Sequence, residues 1–169
     1  MVGSLASSLY FVQRTPLEKF SVINLLVMAL KILDHGSLEY RQMVKLRDDM
    51  LRKPLGLVFS PEELEKEKDN MLIAAFEEED ILGCCMLVEE NLTTVRLRQM
   101  AVLNDLQGKG IGRALMSFAE NIARDRGYKV ISMHARKNTI GFYEKMGYNV
   151  AGDEFIEITI PHYIMEKQL

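Results

Sequence analysis

Gln107-Gly108-Lys109-Gly110-Ile111-Gly112-Arg113 joins a run that reads as a strand, Thr93 to Val102, to a run that reads as a helix, Gly110 to Asp125. Three glycines in this heptad let the backbone turn sharply and keep side chains away from its amides. The first N–H groups of a helix lack partners within it, and the aligned peptide dipoles place about half a positive charge there. A glycine-rich loop entering such an end forms a phosphate cradle, and Lys109 and Arg113 add two side-chain cations. The same string also serves elsewhere as a plain turn between strand and helix, so a second motif has to decide between the two.

Spelling narrows the kind of cradle. A P-loop requires Gly-x-x-x-x-Gly-Lys-Ser/Thr, whereas Lys109 is followed by Gly110. A dinucleotide fingerprint requires Gly or Ala three places after its second glycine; with Gly108 and Gly110 as the first two, that place holds Arg113. The pattern Gln/Arg-x-x-Gly-x-Gly/Ala does fit, on Gln107, Gly110 and Gly112, and it resembles the pyrophosphate loop of the GNAT acetyltransferases. Further on, Phe142-Tyr143-Glu144-Lys145-Met146-Gly147-Tyr148 is similar to the Phe-Tyr-Glu-Lys-x-Gly-Phe segment of that superfamily, with a helix and a strand between the two motifs. The resemblance runs from Met28 to Lys167 and is strongest from Leu97 to Tyr148.

The resemblance implies an α/β (α+β) chain with the GNAT acyl-CoA N-acyltransferase fold, a mixed central sheet of about six or seven strands flanked by helices. It implies acetyl-CoA as cosubstrate, with the pyrophosphate over Gln107, Gly108, Lys109, Gly110, Ile111, Gly112 and Arg113. The pantetheine arm would run along Met100, Ala101 and Val102, splayed from Val130–Ala135, and the Val102 amide would polarise the acetyl carbonyl. Tyr143 is the candidate general acid, because a phenol beside a departing thiolate can protonate it. The competing reading makes Phe142 and Tyr143 core aromatics of a short helix.

One departure from the family pattern matters. Many members carry an asparagine seven residues before this tyrosine; here that place is Arg136, while Asn138 lies five before it and is counted with the cofactor contacts. Ala135-Arg136 and Glu157-Ile158-Thr159-Ile160-Pro161-His162 are similar to segments of the ElaA-like subgroup, which also lacks that asparagine. Arg136 meets either a cofactor phosphate or a substrate carboxylate in this reading. The general base is left among His134, Glu157 and His162, since an imidazole titrates near neutral pH and a carboxylate can relay a proton. Strand histidines are also common as packed structural residues, and His35 reads as a turn residue without chemistry.

Composition sets bounds around these motifs. A chain of 169 residues, 48% hydrophobic and 27% charged, suits one soluble domain with a real core. Net charge of −3 argues against nucleic acid as the main partner. The acidic turns Glu77–Asp80 and Glu89–Glu90 and the run Glu62–Asp69 read as solvated surface, or as a lure for cationic amines. The two cysteines, Cys84 and Cys85, are adjacent, so neither a disulfide framework nor a zinc spacing exists and no metal site is expected. Strand alternation would place one in the core and one at the surface, and a reducing cytoplasmic compartment follows. The apolar-rich run Phe20 to Leu33 is too short and too interrupted to span a bilayer, and no signal-peptide pattern opens the chain.

Along the chain, Thr15-Pro16-Leu17-Glu18 reads as a capping box for a helix to about Val27. Residues 1–27 therefore form an extension, either an appended helix or a stretch before a natural start at Met28; residues 28–169 form the acetyltransferase domain. Met28 to Leu33 reads as the first strand, Leu38 to Leu51 as a helix, and Ser60-Pro61-Glu62-Glu63 as a capping box for a short acidic helix to about Asp69. Met71 to Glu77, Ile81 to Glu89 and Thr93 to Val102 read as antiparallel strands. The helix after the cradle faces inward with Ile111, Leu115, Phe118 and Ile122 and outward with Arg113, Glu120 and Arg124. Val130 to Ala135 then reads as a parallel strand, Ile140 to Met146 as a short helix, and Tyr148 to Glu157 with His162 to Lys167 as a last antiparallel pair separated by Pro161.

Two functions from different classes fit. One is an acetyl-CoA-dependent N-acetyltransferase, acting on a small-molecule or protein primary amine. The other is an acyl-CoA-binding sensor or interaction module without turnover. Tyr143 favours the enzyme, because a binding module needs no acid at that place. An RNA-binding domain is disfavoured, as no basic aromatic strand face occurs. The sequence leaves a homodimer open.

Overall fold

Residues 28–169 are described by a computed structural model. Their strands are β1 Met28–Leu33, β2 Met71–Glu77, β3 Asp80–Glu89, β4 Thr94–Val102, β5 Val130–Arg136, β6 Asn149–Val150, β7 Phe155–Glu157 and β8 Ile160–Gln168. Their α-helices are α1 Leu38–Arg47, α2 Pro61–Glu65, α3 Ile111–Asp125 and α4 Ile140–Glu144. The helix expected over Thr15–Val27 lies outside the described residues. None of the described helices is long and apolar enough to cross a membrane.

The strands form one sheet in the order β1-β2-β3-β4-β5-β8-β6, with β7 also pairing β8. Short turns make β1 to β4 antiparallel neighbours, whereas the α3 crossover makes β4 and β5 parallel. This mixed sheet, with helices on both faces, is the expected architecture. Two short strands, β6 and β7, share one edge of β8 and bring the total to eight.

Apolar side chains fill both sides of the sheet. Ile111, Leu115 and Ile122 of α3 pack on Ile73, Leu87 and Ile131, each full burial stabilising by about 1.5–3 kcal/mol. Tyr40, Met43 and Leu46 of α1 cover Leu72, Phe76 and Met86 on the opposite face. Coverage on both sides corrects the expectation for the cysteine pair: Cys84 packs under α1, Cys85 under α3, and both are fully buried. Burial pushes the Cys84 thiol up to about 12 and raises that of Cys85 as well, so neither is a thiolate at neutral pH.

The last strands differ from the expected single pair. Pro161 lies within β8, not between two strands. Ile158 and Thr159, at φ 47° and 64°, make a two-residue turn from β7 to β8. Its closing pair, Glu157 and Ile160, shares hydrogen bonds, so the next pair, Ile156 and Pro161, does not. The missing Pro161 donor therefore faces away from β7, just past the last β5 partner, Arg136 opposite His162. Helix boundaries shift too. Helix α1 stops at Arg47 and continues as a π-helical turn over Asp48–Arg52, and α2 ends at Glu65.

Two carboxylates assigned to the surface are buried instead. Glu67 receives both Nη atoms of Arg47, at 2.9 and 2.8 Å, and the Tyr40 hydroxyl at 2.8 Å. Burial opposes the Arg47 charge, but the Glu67 carboxylate more than offsets it and raises the pKa above its ordinary value. Glu120 of α3 accepts from Lys167 of β8 at 2.8 and 2.9 Å and from the Tyr148 hydroxyl at 3.1 Å. Helix packing alone would turn Glu120 outward; the lysine and tyrosine beneath it draw it in.

Candidate active site

Strands β4 and β5 pair only from Thr94–Val130 to Leu97–Met133. Beyond that they part, although β4 continues to Val102 and β5 to Arg136. The cause is a bulge in β4. Gln99, at φ 55°, and Met100 stand opposite the single residue Cys85, which bends the strand away from β5. A cleft of about 460 Å³ opens through the gap.

Ladder alternation sets which backbone groups face this gap. Leu103 N–H donates to Leu82 O at 3.1 Å, so the hydrogen-bonded partners of β3 are Leu103 and Ala101. Val102, between them, turns its N–H and C=O toward the cleft, and its carbonyl accepts from Gln107 Nε2 at 3.3 Å. Of the three β4 residues expected along a cofactor arm, all line the cleft, but Ala101 commits its backbone to β3.

The glycine loop sits at the end of β4 and is exposed. Gly108 and Gly110 have φ of 79° and 91°, and nothing lies within 4 Å of an added Cβ at either. Their role is conformational. Gly112 has a different one: a Cβ there would stand 3.3 Å from Phe142 Cζ, so it permits close approach of α3 to α4. The first helical bond runs from Ala114 N–H to Gly110 O. The amides of Ile111, Gly112 and Arg113 thus precede it, beside the exposed Lys109 and Arg113 side chains. These features fit an anionic diphosphate group.

Tyr143 combines the two readings offered for it. Its ring is 7% exposed and packs edge-on against Phe142 and Tyr148, yet it lines the cleft. Burial raises its pKa to about 12, with Cys85 adding and Arg136 opposing, so the phenol keeps its proton at neutral pH. Asn138 lines the same cleft.

The three base candidates also converge, but in unequal settings. His134 Nδ1–H donates to Glu157 Oε2 at 3.0 Å. A carboxylate only accepts, so this bond fixes the tautomer and leaves Nε2 with the lone pair. His162 is buried, stacks on Phe155, and bonds through Nδ1 to Ile160 O at 2.8 Å. Arg136 shares the cleft with them.

Sequence reasoning passed over several lining residues. Met50, Leu51 and Leu55 roof the cleft from the turns after α1, where no motif marks them. Arg96 and Arg98 were missed although a signal existed: their two-residue spacing puts both on one face of β4.

A match to the acetyltransferase (GNAT) domain family covers residues 50–169, more than two thirds of the chain. YyaT of Bacillus subtilis is 32% identical over 76 residues, 45% of this chain and 51% of the relative. The chain thus spans about half the length of the curated relatives it matches first. Among solved structures, Escherichia coli ElaA superposes with a TM-score of 0.71 at 18% identity, over 83% of this chain and 99% of ElaA. An aminoglycoside 6'-N-acetyltransferase complexed with coenzyme A superposes with a TM-score of 0.72 at 18% identity, over 83% of this chain and 96% of that one. These two likenesses concern the fold. The family match, together with the parted strands and the glycine loop, identifies the chain as a member of the GNAT acetyltransferase family.

Proposed function

We propose that this chain is an N-acetyltransferase that moves the acetyl group of acetyl-CoA to a primary amine by direct attack in a ternary complex. The observation that carries this reading is the gap between β4 and β5, with the Val102 amide turned into it and the Gln107–Arg113 loop at its end. Bound there, acetyl-CoA supplies an activated acetyl thioester. The amides of Ile111, Gly112 and Arg113, with the Lys109 and Arg113 side chains, hold its pyrophosphate. Met100 and Val102 offer free backbone to the arm.

His134, oriented by Glu157, takes the proton of the substrate ammonium on Nε2. The freed amine attacks the acetyl carbon while the Val102 N–H stabilises charge gathering on the carbonyl oxygen. As the carbon–sulfur bond breaks, the Tyr143 hydroxyl gives its proton to sulfur. The adduct's nitrogen releases its second proton to solvent, the proton on His134 passes through solvent to restore the phenol, and amide and thiol remain as products. His162, tied to Ile160 and stacked on Phe155, positions the hairpin instead of moving protons. The neutral buried thiols of Cys84 and Cys85 exclude themselves as acyl carriers, and they suit a reducing compartment such as the cytoplasm.

Gly112→Glu tests the cradle. A carboxylate about 5 Å from the pyrophosphate costs roughly 3 kcal/mol at an effective dielectric near 20, on the order of a hundredfold in affinity. Calorimetry with coenzyme A should register that loss, while Gly112→Ala, which asks only for a small shift of Phe142, should lose far less. Full affinity in the Glu variant removes the loop from the site. Coenzyme A binding without release of thiol from acetyl-CoA in the presence of any amine would leave the non-catalytic module standing.

Residues 28–169 carry the whole of this proposed machinery. Deleting residues 1–27 should accordingly leave coenzyme A affinity within a few-fold. Loss of soluble folded protein would show that the domain begins earlier.

A further inference from the structure

The charges lining the cleft do not suit a simple cationic amine. Four arginines line it, Arg52, Arg96, Arg98 and Arg136, against one carboxylate, Glu157. Two of the arginines are already paired: Arg52 with Glu63 at 3.0 Å, and Arg96 with Glu90. Glu157 is bonded to His134. Among the described residues no carboxylate pairs with Arg98 or Arg136. The cleft therefore carries two arginines without a carboxylate partner, and its one carboxylate, Glu157, is occupied by the His134 N–H.

Both of these arginines lie on the acceptor's side of the sheet. Arg98 stands opposite Met86, which packs under α1, so it projects from the face of β4 away from α3. Arg96 is in register with Ser132, which puts Arg98 level with His134 across the start of the gap. Arg136, two residues beyond His134 and paired with His162, shares that face. Arg98 and Val102 stand opposite Met86 and Gly83, three residues apart on β3, so roughly 10 Å separates Arg98 from Val102, where the acetyl carbonyl would sit, and the glycine loop lies further still. The diphosphate of the cofactor is thus out of Arg98's reach.

We propose that the acceptor amine carries a carboxylate, held by Arg98 and Arg136, so that the substrate class is an amino acid or a compound with the same amine-and-carboxylate pairing. The inference rests on the acetyl-transfer reading above. Guanidinium groups bind carboxylates through charge-assisted, often paired hydrogen bonds. A second cationic group without the carboxylate would meet a lining in which arginines outnumber the one carboxylate, Glu157.

Matched acceptors test this directly: alanine against ethylamine, phenylalanine against phenethylamine, lysine against cadaverine, each followed by release of thiol from acetyl-CoA. The acid should exceed its decarboxylated partner in kcat/KM by roughly ten- to a hundredfold, mostly through KM. Arg98→Gln and Arg136→Gln should bring that ratio toward one. Arg98→Glu should invert it in favour of cadaverine, a gain that damaged packing would not produce; Arg98 is exposed, so the fold should survive. Affinities of N-acetylphenylalanine and N-acetylphenethylamine for the coenzyme A-bound protein give the same ratio without turnover. Coenzyme A binding with a ratio at or below one, or variants that lower both partners equally, overturns the carboxylate assignment alone. A raised KM for acetyl-CoA in Arg136→Gln with an unchanged acceptor ratio assigns that arginine to the cofactor and overturns its part here. Failure to bind coenzyme A at all instead overturns the acetyl-transfer reading.

Discussion

Tyr143→Phe should lower the rate of the chemical step by roughly a hundred- to ten-thousand-fold, the range typical of a positioned acid. The substitution removes one oxygen. The ring keeps its edge-on neighbours, Phe142 at 5.0 Å and Tyr148 at 6.1 Å between centroids, so packing should hold. What is lost is a phenol that burial keeps protonated, with a pKa pushed up to about 12. Single-turnover kinetics with a responsive amine would measure the step itself, and calorimetry on the same variant should find acetyl-CoA affinity little changed. A loss of rate without a loss of binding marks an interaction made in the transition state. An unchanged chemical step would take Tyr143 out of the mechanism, and joint collapse of binding and folding would return it to the core.

Glu67→Ala should destabilise the protein by about 3–5 kcal/mol, the usual cost of stranding one member of a buried ion pair. Arg47 is fully buried, and its charge is met by both Glu67 oxygens. Tyr40 would lose its acceptor at the same time. For a chain of this length such a loss lowers Tm by roughly 6–20 °C. Restoring an acceptor while removing the charge, as Arg47→Met with Glu67→Gln, should recover most of the stability. Thermal and urea denaturation of the single and double variants decide the matter. A single variant within 1 kcal/mol of the parent protein would mean that water reaches Arg47.

These two sites mark the limit of what could be read from the chain. The glycine loop was legible as a conformation because backbone freedom and helix polarity act locally, whereas Tyr143 and Val102 stood out only through the resemblance of their segments to a known family; the structure puts Val102, Gln107 and Tyr143 on one cleft. The strand run from Met71 to Val102 was legible locally as well, since alternation and short turns fix it within a few residues. Glu67 and Glu120 were not. A carboxylate on a helix or beside one defaults to water, and only a partner far along the chain reverses that: Arg47 in one case, Lys167 in the other. The pairing of His134 with Glu157 was hidden likewise. It depends on the turn at Ile158 and Thr159, two β-branched residues in a left-handed conformation that costs each about 1–2 kcal/mol and that no sequence rule favours.

The short seam between β4 and β5 makes the sheet a pair of jaws. Residues before α3 build one jaw, residues after it build the other, and four register pairs join them. Helix α3 rides on β2, β3 and β4 of the first jaw, while its Glu120 grips Lys167 of the second from behind the sheet. A part-buried salt link, away from the cleft lining, thus ties the two jaws together alongside their shared apolar core. The width of the cleft can accordingly change in two places: at its lining, such as Arg98 and Met50, and at this rear strut, which lies outside the cleft.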